Sequence, residues 1–222
     1  MSTRNHTISL VIPCYNSGER FKELIESLNQ LIVEITSIKE IILVDDDSEP
    51  VYKKLLQQTI HYLPPVYKLI ENNKNLGQEK ATIEGIKQAS GDLIVTLDDD
   101  MEYPPKFIHK LLKICKESGA DLVYGIPRKN KHIFYRDIPR EMFYKINWLL
   151  GYSIFSPFRL FKAELKTALL ENAHKQIFCF DKILMRQSKK TERVLVDNCP
   201  SLKSRYSAVK LARKVLYFYL YR

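Results

Sequence analysis

Leu93-Ile-Val-Thr-Leu-Asp-Asp-Asp100 is the stretch that decides how this chain folds. Leu93–Leu97 is a short apolar run of the kind that makes a buried strand, and three carboxylates follow it at once. The pattern has a precedent upstream, where Ile41–Val44 runs straight into Asp45-Asp46-Asp47. In open α/β sheets ligands bind outside the carboxyl ends of the strands, so both clusters are expected on one sheet edge. Adjacent carboxylates repel one another unless a cation or hydrogen-bond donors offset the charge. With extended backbone, Asp98 and Asp100 would face one way and Asp99 the other. Such a pair suits Mg²⁺ or Mn²⁺, which take one or two carboxylates together with substrate phosphates. The simpler alternative is that these aspartates serve as helix caps and turn residues.

Working outward, strands and helices alternate. Ile8–Ile12 reads as a strand stopped by Pro13, and Phe21, Leu24, Ile25, Leu28, Leu31 and Ile32 recur at helical spacing. Glu40–Val44 and Val66–Ile70 read as strands, and Tyr52–Thr59 and Gln78–Ala89 as helices. Pro104 opens a further helix that Gly119 closes, and Asp121–Tyr124 starts a fifth strand. This alternation predicts an α/β fold with a mostly parallel sheet and crossover helices. After Gly125 the pattern turns irregular. Arg140–Leu150 and Glu164–Leu170 look helical, Phe158–Phe161 and Arg193–Val196 extended, and Tyr206–Tyr221 is a final helix. We expect one domain over residues 1–200, with a donor half at 8–125 and an acceptor half at 126–200, followed by a basic amphipathic helix at 201–222.

Composition narrows the chemistry. The chain has 222 residues, 45% of them hydrophobic, enough for a real core. Its net charge of +9 fits nucleic acid, an anionic membrane or phosphorylated substrates without choosing among them. The basic clusters Lys129–Lys131, Lys189-Lys190 and Arg213-Lys214 are short and read as solvated faces. No recognition motif accompanies the charge, so a nucleic-acid partner is not expected. Cys14, Cys115, Cys179 and Cys199 lack the spacing of a zinc or redox pair and read as free thiols in a reducing compartment. The N-terminus lacks an apolar signal core, and no apolar run reaches the roughly 20 residues needed to cross a bilayer. The expectation is a cytoplasmic protein, peripheral on the membrane if it meets one.

Ser9-Leu-Val-Ile-Pro-Cys-Tyr-Asn16 and Val44-Asp-Asp-Asp-Ser48 resemble the opening strand and the Val-Asp-Asp-Gly-Ser segment of family 2 glycosyltransferases with the GT-A (Rossmann-like) fold. Asn75-Leu-Gly77 with Ala81, Gly85, Ala89 and Gly91-Asp92 resembles the stretch that follows. Leu97-Asp-Asp-Asp-Met-Glu-Tyr-Pro-Pro105 is similar to the metal-binding Asp-x-Asp segment as it stands in the dolichol-phosphate mannosyltransferase and polyprenyl-phosphate glycosyltransferase branch. These segments cover about residues 8–125 in the family's order.

The resemblance implies a nucleotide-sugar donor contacted by Pro13, Tyr15, Asn16, Asp45, Asp46, Gly77, Lys80, Asp98, Asp99 and Arg128. It implies Mg²⁺ or Mn²⁺ held by Asp98, Asp100 and Glu102, and catalytic roles for Asp98, Asp100 and Arg159. A metal there would neutralise charge on a departing diphosphate. Asp47 stands where the family usually has Gly; Asp tolerates a left-handed turn.

The second half departs further from the family. Gly125-Ile-Pro-Arg128 resembles the segment that supplies an arginine to the phosphates, with the arginine one place late. Ser156-Pro-Phe-Arg-Leu-Phe161 resembles the branch's Asp-Phe-Arg-Leu segment, with Pro157 in place of the Asp, a candidate base. A polyprenyl phosphate is already anionic and needs little help from a base, whereas a glycan acceptor would need one, with Glu141 and Asp181 as candidates. Arg159, Lys203 and Arg205 are expected to contact acceptor or phosphate oxygens; for Arg159 the alternative is a surface ion pair. The helix at 206–221, with Lys210, Arg213 and Lys214 along one face and tyrosines at its apolar end, suits an anionic headgroup layer. Docking on the core or a dimer contact is its alternative.

Other classes fare less well. A dinucleotide-dependent oxidoreductase needs a glycine-rich turn after the first strand, and Pro13-Cys-Tyr-Asn-Ser-Gly18 is not one. An aspartate-dependent phosphohydrolase would leave Asp98–Asp100 unexplained. A catalytically inert module that binds a nucleotide sugar or a membrane partner stays open because of Pro157.

Overall fold

The structure is a computed structural model and describes residues 6–18, 20–128, 156–173 and 180–197. Its strands are β1 (Ile8–Cys14), β2 (Ile38–Asp45), β3 (Tyr67–Glu71), β4 (Leu93–Thr96), β5 (Leu122–Pro127), β6 (Arg159–Lys162) and β7 (Thr191–Val196). They form one 7-stranded sheet in the order β3-β2-β1-β4-β6-β5-β7. β1 is parallel to β2 and β4, and β2 to β3. β6 is antiparallel to both β4 and β5, and β5 is parallel to β7, so every strand but β6 runs the same way. This is the mostly parallel α/β sheet that the alternation predicted.

The helices are α1 (Arg20–Glu34), α2 (Pro50–His61), α3 (Gln78–Gln88), α4 (Ile108–Ser118), α5 (Lys166–Asn172) and α6 (Phe180–Gln187). The period of two along a strand divides the core into two layers. Leu10 and Ile12 of β1 and Leu43 of β2 face α1 and α4, packing with Leu24, Leu28, Ile108 and Leu111. Val11, Ile42 and Val44 point the other way, toward Ala81, Ile83 and Ile86 of α3 and Leu169 and Leu184 of α5 and α6. At Gly85 the backbone of α3 comes so close that a Cβ would strike Val11 and lie 2.9 Å from Val44 Cγ2.

Several boundaries differ from the sequence reading. β4 ends at Thr96, one residue early. The segment after Pro104 begins as a 3-10 turn, Pro105–Phe107, before α4 takes over, and Gly119 closes α4 in the left-handed conformation at φ 71°. The irregular second half contains a helix that periodicity did not reveal, α6. The expected helices at 140–150 and 206–221 lie outside the described residues, as do Glu141, Cys179, Cys199, Lys203 and Arg205. Cys14 and Cys115 are buried free thiols. No helix among the described residues is long and apolar enough to cross a membrane.

Candidate active site

Parallel register brings the ends of β1 and β2 level, Cys14 beside Asp45, while Thr96 at the end of β4 lies beside Val11. The turns that follow these strands therefore share one edge. Each contains a non-glycine residue with positive φ: Asn16 (48°), Asp47 (61°) and Met101 (60°). Asp47 takes the left-handed conformation that its replacement of Gly requires. The turns are also tied together. Asn16 N–H donates to Ser48 Oγ at 2.9 Å, and Glu49 N–H donates to Asn16 Oδ1 at 2.8 Å.

Asp45 and Asp46 are both buried at the end of β2, with different surroundings. Asp46 accepts from Asn72 Nδ2 and Leu76 N–H on one oxygen, each at 2.9 Å, and from Gly77 N–H on the other at 2.8 Å. It thus holds the chain ahead of α3, where Gly77 turns at φ 84°. Asp45 Oδ1 accepts from Ser48 N–H at 3.3 Å, and its Oδ2 is a buried oxygen with no hydrogen-bond donor. Such an orphan is costly, and a ligand donor group at this edge would satisfy it.

The acidic turn is held from both sides. Gln78 Nε2 donates to Asp98 Oδ1 at 2.5 Å from the start of α3. Ser17 Oγ donates to Asp99 Oδ2 at 2.5 Å from the loop after β1, and Arg20 Nη1 reaches Asp100 O at 3.4 Å. Glu102 N–H donates to Asp100 Oδ1 at 2.9 Å. Asp99 is buried, while Asp98, Asp100 and Glu102 are half-buried. Burial pushes the Asp98 carboxyl up to about 7, and the charges of Asp100 and Asp99 add to it against the Gln78 hydrogen bond. The turn therefore concentrates carboxylates in one place. Beneath it, Tyr103 stacks on Phe158 with centroids 5.5 Å apart, and Phe158 occupies the space that a side chain at Gly125 would need.

The extended-backbone picture of Asp98 to Asp100 does not hold. β4 has ended and the chain is turning, so hydrogen-bond partners rather than strand alternation set the directions, with Asp98 toward Gln78 and Asp99 toward Ser17. Asp98 and Asp100 each spend one carboxylate oxygen on these bonds, which leaves one on each. Among the described residues no three His, Cys, Asp or Glu side chains converge as a ready-made metal cage. The donor set of Asp98, Asp100 and Glu102 is all carboxylate oxygen, which fits a hard divalent cation completed by waters and phosphate.

The remaining candidates scatter more widely. Pro13 is buried within β1, and Tyr15 is exposed just beyond it. Lys80 is exposed in the first turn of α3. Arg128, at the same edge beyond β5, forms an exposed pair with Asp197 at 3.3 Å. Arg159 is only 5% exposed, and its partner is Asp181, so the ion pair is buried rather than at the surface. Asp181 is committed to that pair and to the Tyr124 hydroxyl, which donates at 2.9 Å. Sequence reasoning passed over Ser17, Gln78 and Thr96. The only signal for the first two is adjacency, Ser17 to Asn16 and Gln78 to Gly77.

Comparison with known proteins agrees with this geometry. The undecaprenyl-phosphate 4-deoxy-4-formamido-L-arabinose transferase of Serratia proteamaculans is 37% identical over 124 residues, covering 56% of this chain and 37% of that protein. The protein of the same name in Yersinia pestis is 39% identical over 124 residues, with the same coverage. The chain thus spans little over a third of the length of these relatives. Among solved structures, a mannosyltransferase from Pyrobaculum calidifontis in complex with GDP-Man and Mn²⁺ superposes with TM-score 0.66 at 17% identity, over 91% of this chain and 59% of that one. Glucosyl-3-phosphoglycerate synthase from Mycobacterium tuberculosis, with Mn²⁺ and UDP-glucose, gives TM-score 0.65 at 18% identity, over 96% and 76%. At these identities the likeness establishes the GT-A fold. Residues 9–189 match the profile of Glycosyl transferase family 2, and the chain belongs to that family.

Proposed function

We propose that this chain transfers a sugar from a nucleotide-diphosphate sugar to a polyprenyl phosphate, with inversion at the anomeric carbon and with Mg²⁺ or Mn²⁺ as cofactor. The observation that carries the reading is the acidic turn, in which Asp98, Asp99, Asp100 and Glu102 crowd together at the carboxyl edge of the sheet, beside the turns that follow β1 and β2. Asp98, Asp100 and Glu102 would hold the cation, which when bound would supply charge neutralisation for the leaving diphosphate. The nucleotide lies against the carboxyl edge beyond β2, where Asp46 holds Gly77 ahead of α3. A phosphate oxygen of the acceptor forms the new bond to the anomeric carbon as the bond to the diphosphate breaks. The acceptor arrives as an anion, so no protein base is required, in keeping with Pro157 where the branch has Asp. The relatives named for undecaprenyl-phosphate transfer support this acceptor class. A lipid acceptor would put the reaction at a membrane surface.

The test uses radiolabelled nucleotide sugars with polyprenyl phosphate, and NMR of the product's anomeric configuration. Wild type is expected to transfer label in a metal-dependent way, and Asp100→Asn to lose that transfer. A wild type that binds nucleotide sugar but transfers nothing, or an Asp100→Asn enzyme that works equally well without metal, overturns the proposal.

A further inference from the structure

Thr96, Arg159 and Tyr124 stand in one row across β4, β6 and β5, with Arg159 opposite Thr96 on one side and Tyr124 on the other. Directly opposed residues of antiparallel strands present their side chains to the same face. Helix α6 lays Asp181 on this row. Asp181 Oδ1 accepts from the Tyr124 hydroxyl at 2.9 Å and from Arg159 Nη1. Arg159 Nε in turn donates to Thr96 Oγ1 at 3.0 Å, and the Thr96 hydroxyl donates to Pro157 O at 2.7 Å. The guanidinium lies 4.0 Å from the centre of the Phe180 ring. Arg159 is 5% exposed, Asp181 6% and Tyr124 0%.

A buried ion pair is a poor way to gain stability, because desolvation of both charges offsets their attraction and apolar residues of similar volume would serve as well. What the pair does provide is direction. The guanidinium fork and the shared carboxylate oxygen leave Arg159 one arrangement, and that arrangement fixes the last residue of β4. Asp98 follows with only Leu97 between. From the other side, Gln78 in the first turn of α3 holds Asp98 directly.

We propose that Asp181 is a positioning residue for sugar transfer: by locking Arg159 against Thr96 it sets where the turn carrying Asp98 leaves the sheet. The inference rests on the reading of Asp98 as a cation ligand. Asp181 neither meets substrate nor serves as the base.

Three variants of the full chain separate this role from a purely structural one: Asp181→Asn, Tyr124→Phe, and the paired R159M/D181L, which replaces the ions with apolar volume. Mn²⁺ affinity is read from the loss of the free-ion EPR signal, transfer from kcat and KM, and folding from thermal melts. Asp181→Asn and R159M/D181L are each expected to weaken Mn²⁺ binding and lower kcat by about tenfold, with the acceptor KM unchanged. Tyr124→Phe, which keeps the ion pair, is expected to show a smaller loss in the same direction. A cooperatively melting R159M/D181L protein with wild-type Mn²⁺ affinity and kcat overturns the proposal. If the charge variants do not fold, a fourth variant decides: Thr96→Val, which removes the tie from Arg159 to the end of β4, overturns the proposal by keeping wild-type Mn²⁺ affinity and kcat. Wild type that transfers no sugar refutes the proposed function instead, and the Mn²⁺ titration still decides the role of Asp181.

Discussion

Gln78 Nε2 donates to Asp98 Oδ1 at 2.5 Å, so the first residue of α3 restrains a carboxylate of the acidic turn that burial pushes up to about 7. Removing the amide should loosen Asp98 while leaving the turn's other bonds in place. Gln78→Ala is expected to destabilise the fold by about 1.5–3 kcal/mol, the usual worth of a hydrogen bond to a charged group. It should also lower transfer about tenfold. Thermal melts and the labelled-sugar assay measure the two effects separately.

Asp46 stands under a heavier structural load. Its two oxygens serve Asn72, Leu76 and Gly77, so Asp46→Ala strands two backbone N–H groups ahead of α3. The expected loss is about 3 kcal/mol in urea unfolding, with Asp46→Asn intermediate because it keeps one acceptor oxygen.

At Gly85 the limit is space. A methyl group there meets Val11 and Val44, both fully buried, and neither strand can retreat without disturbing the sheet. Gly85→Ala is expected to cost about 1–3 kcal/mol despite its better helix propensity, and a shift of the denaturation midpoint checks it.

Glu40 provides an acid-dependent contribution. Burial pushes its carboxyl upward, but hydrogen bonds from Lys68, Ser9 and Ser90 outweigh that and hold it at about 2, below the ordinary 4.5. A carboxylate lowered on folding stabilises fully above its unfolded value and loses that contribution as pH falls through the folded one. That contribution, reduced by solvent screening of the half-exposed Lys68, should therefore disappear between about pH 4.5 and 2. Guanidinium unfolding across that window should show the slope in wild type and lack this component in Glu40→Gln.

Much of this was legible in the sequence where one residue type decides a local outcome. The apolar runs at 8–12, 41–44 and 93–97 became strands because a buried strand needs no polar alternation, and Gly119 ended α4 because its left-handed φ suits glycine. Two failures have physical causes. Alternation along Asp98–Asp100 assumed extended backbone, but Thr96 ends the strand and Met101 turns at φ 60°. Helix α6 went unseen because its eight residues offer little more than two turns of period, with Phe180 and Leu184 as its buried apolar positions. The Arg159–Asp181 pair shares that cause. Its partners lie 22 residues apart, and only the packing of α6 over β6 brings them together.

The antiparallel strand β6 also governs how the protein is made. β4 and β5 have no contact as neighbours until β6 slots between them, and the partner of Thr96 lies 63 residues further along the chain. At ribosomal rates of about 5–20 residues per second, the growing chain carries an open β4 edge for on the order of 3–12 s after its first four strands exist. An uncovered apolar edge recruits other strands. Nascent chains of this protein are thus most exposed to chaperones, and to misassembly, during that interval, before the seat of the acidic turn has been synthesised.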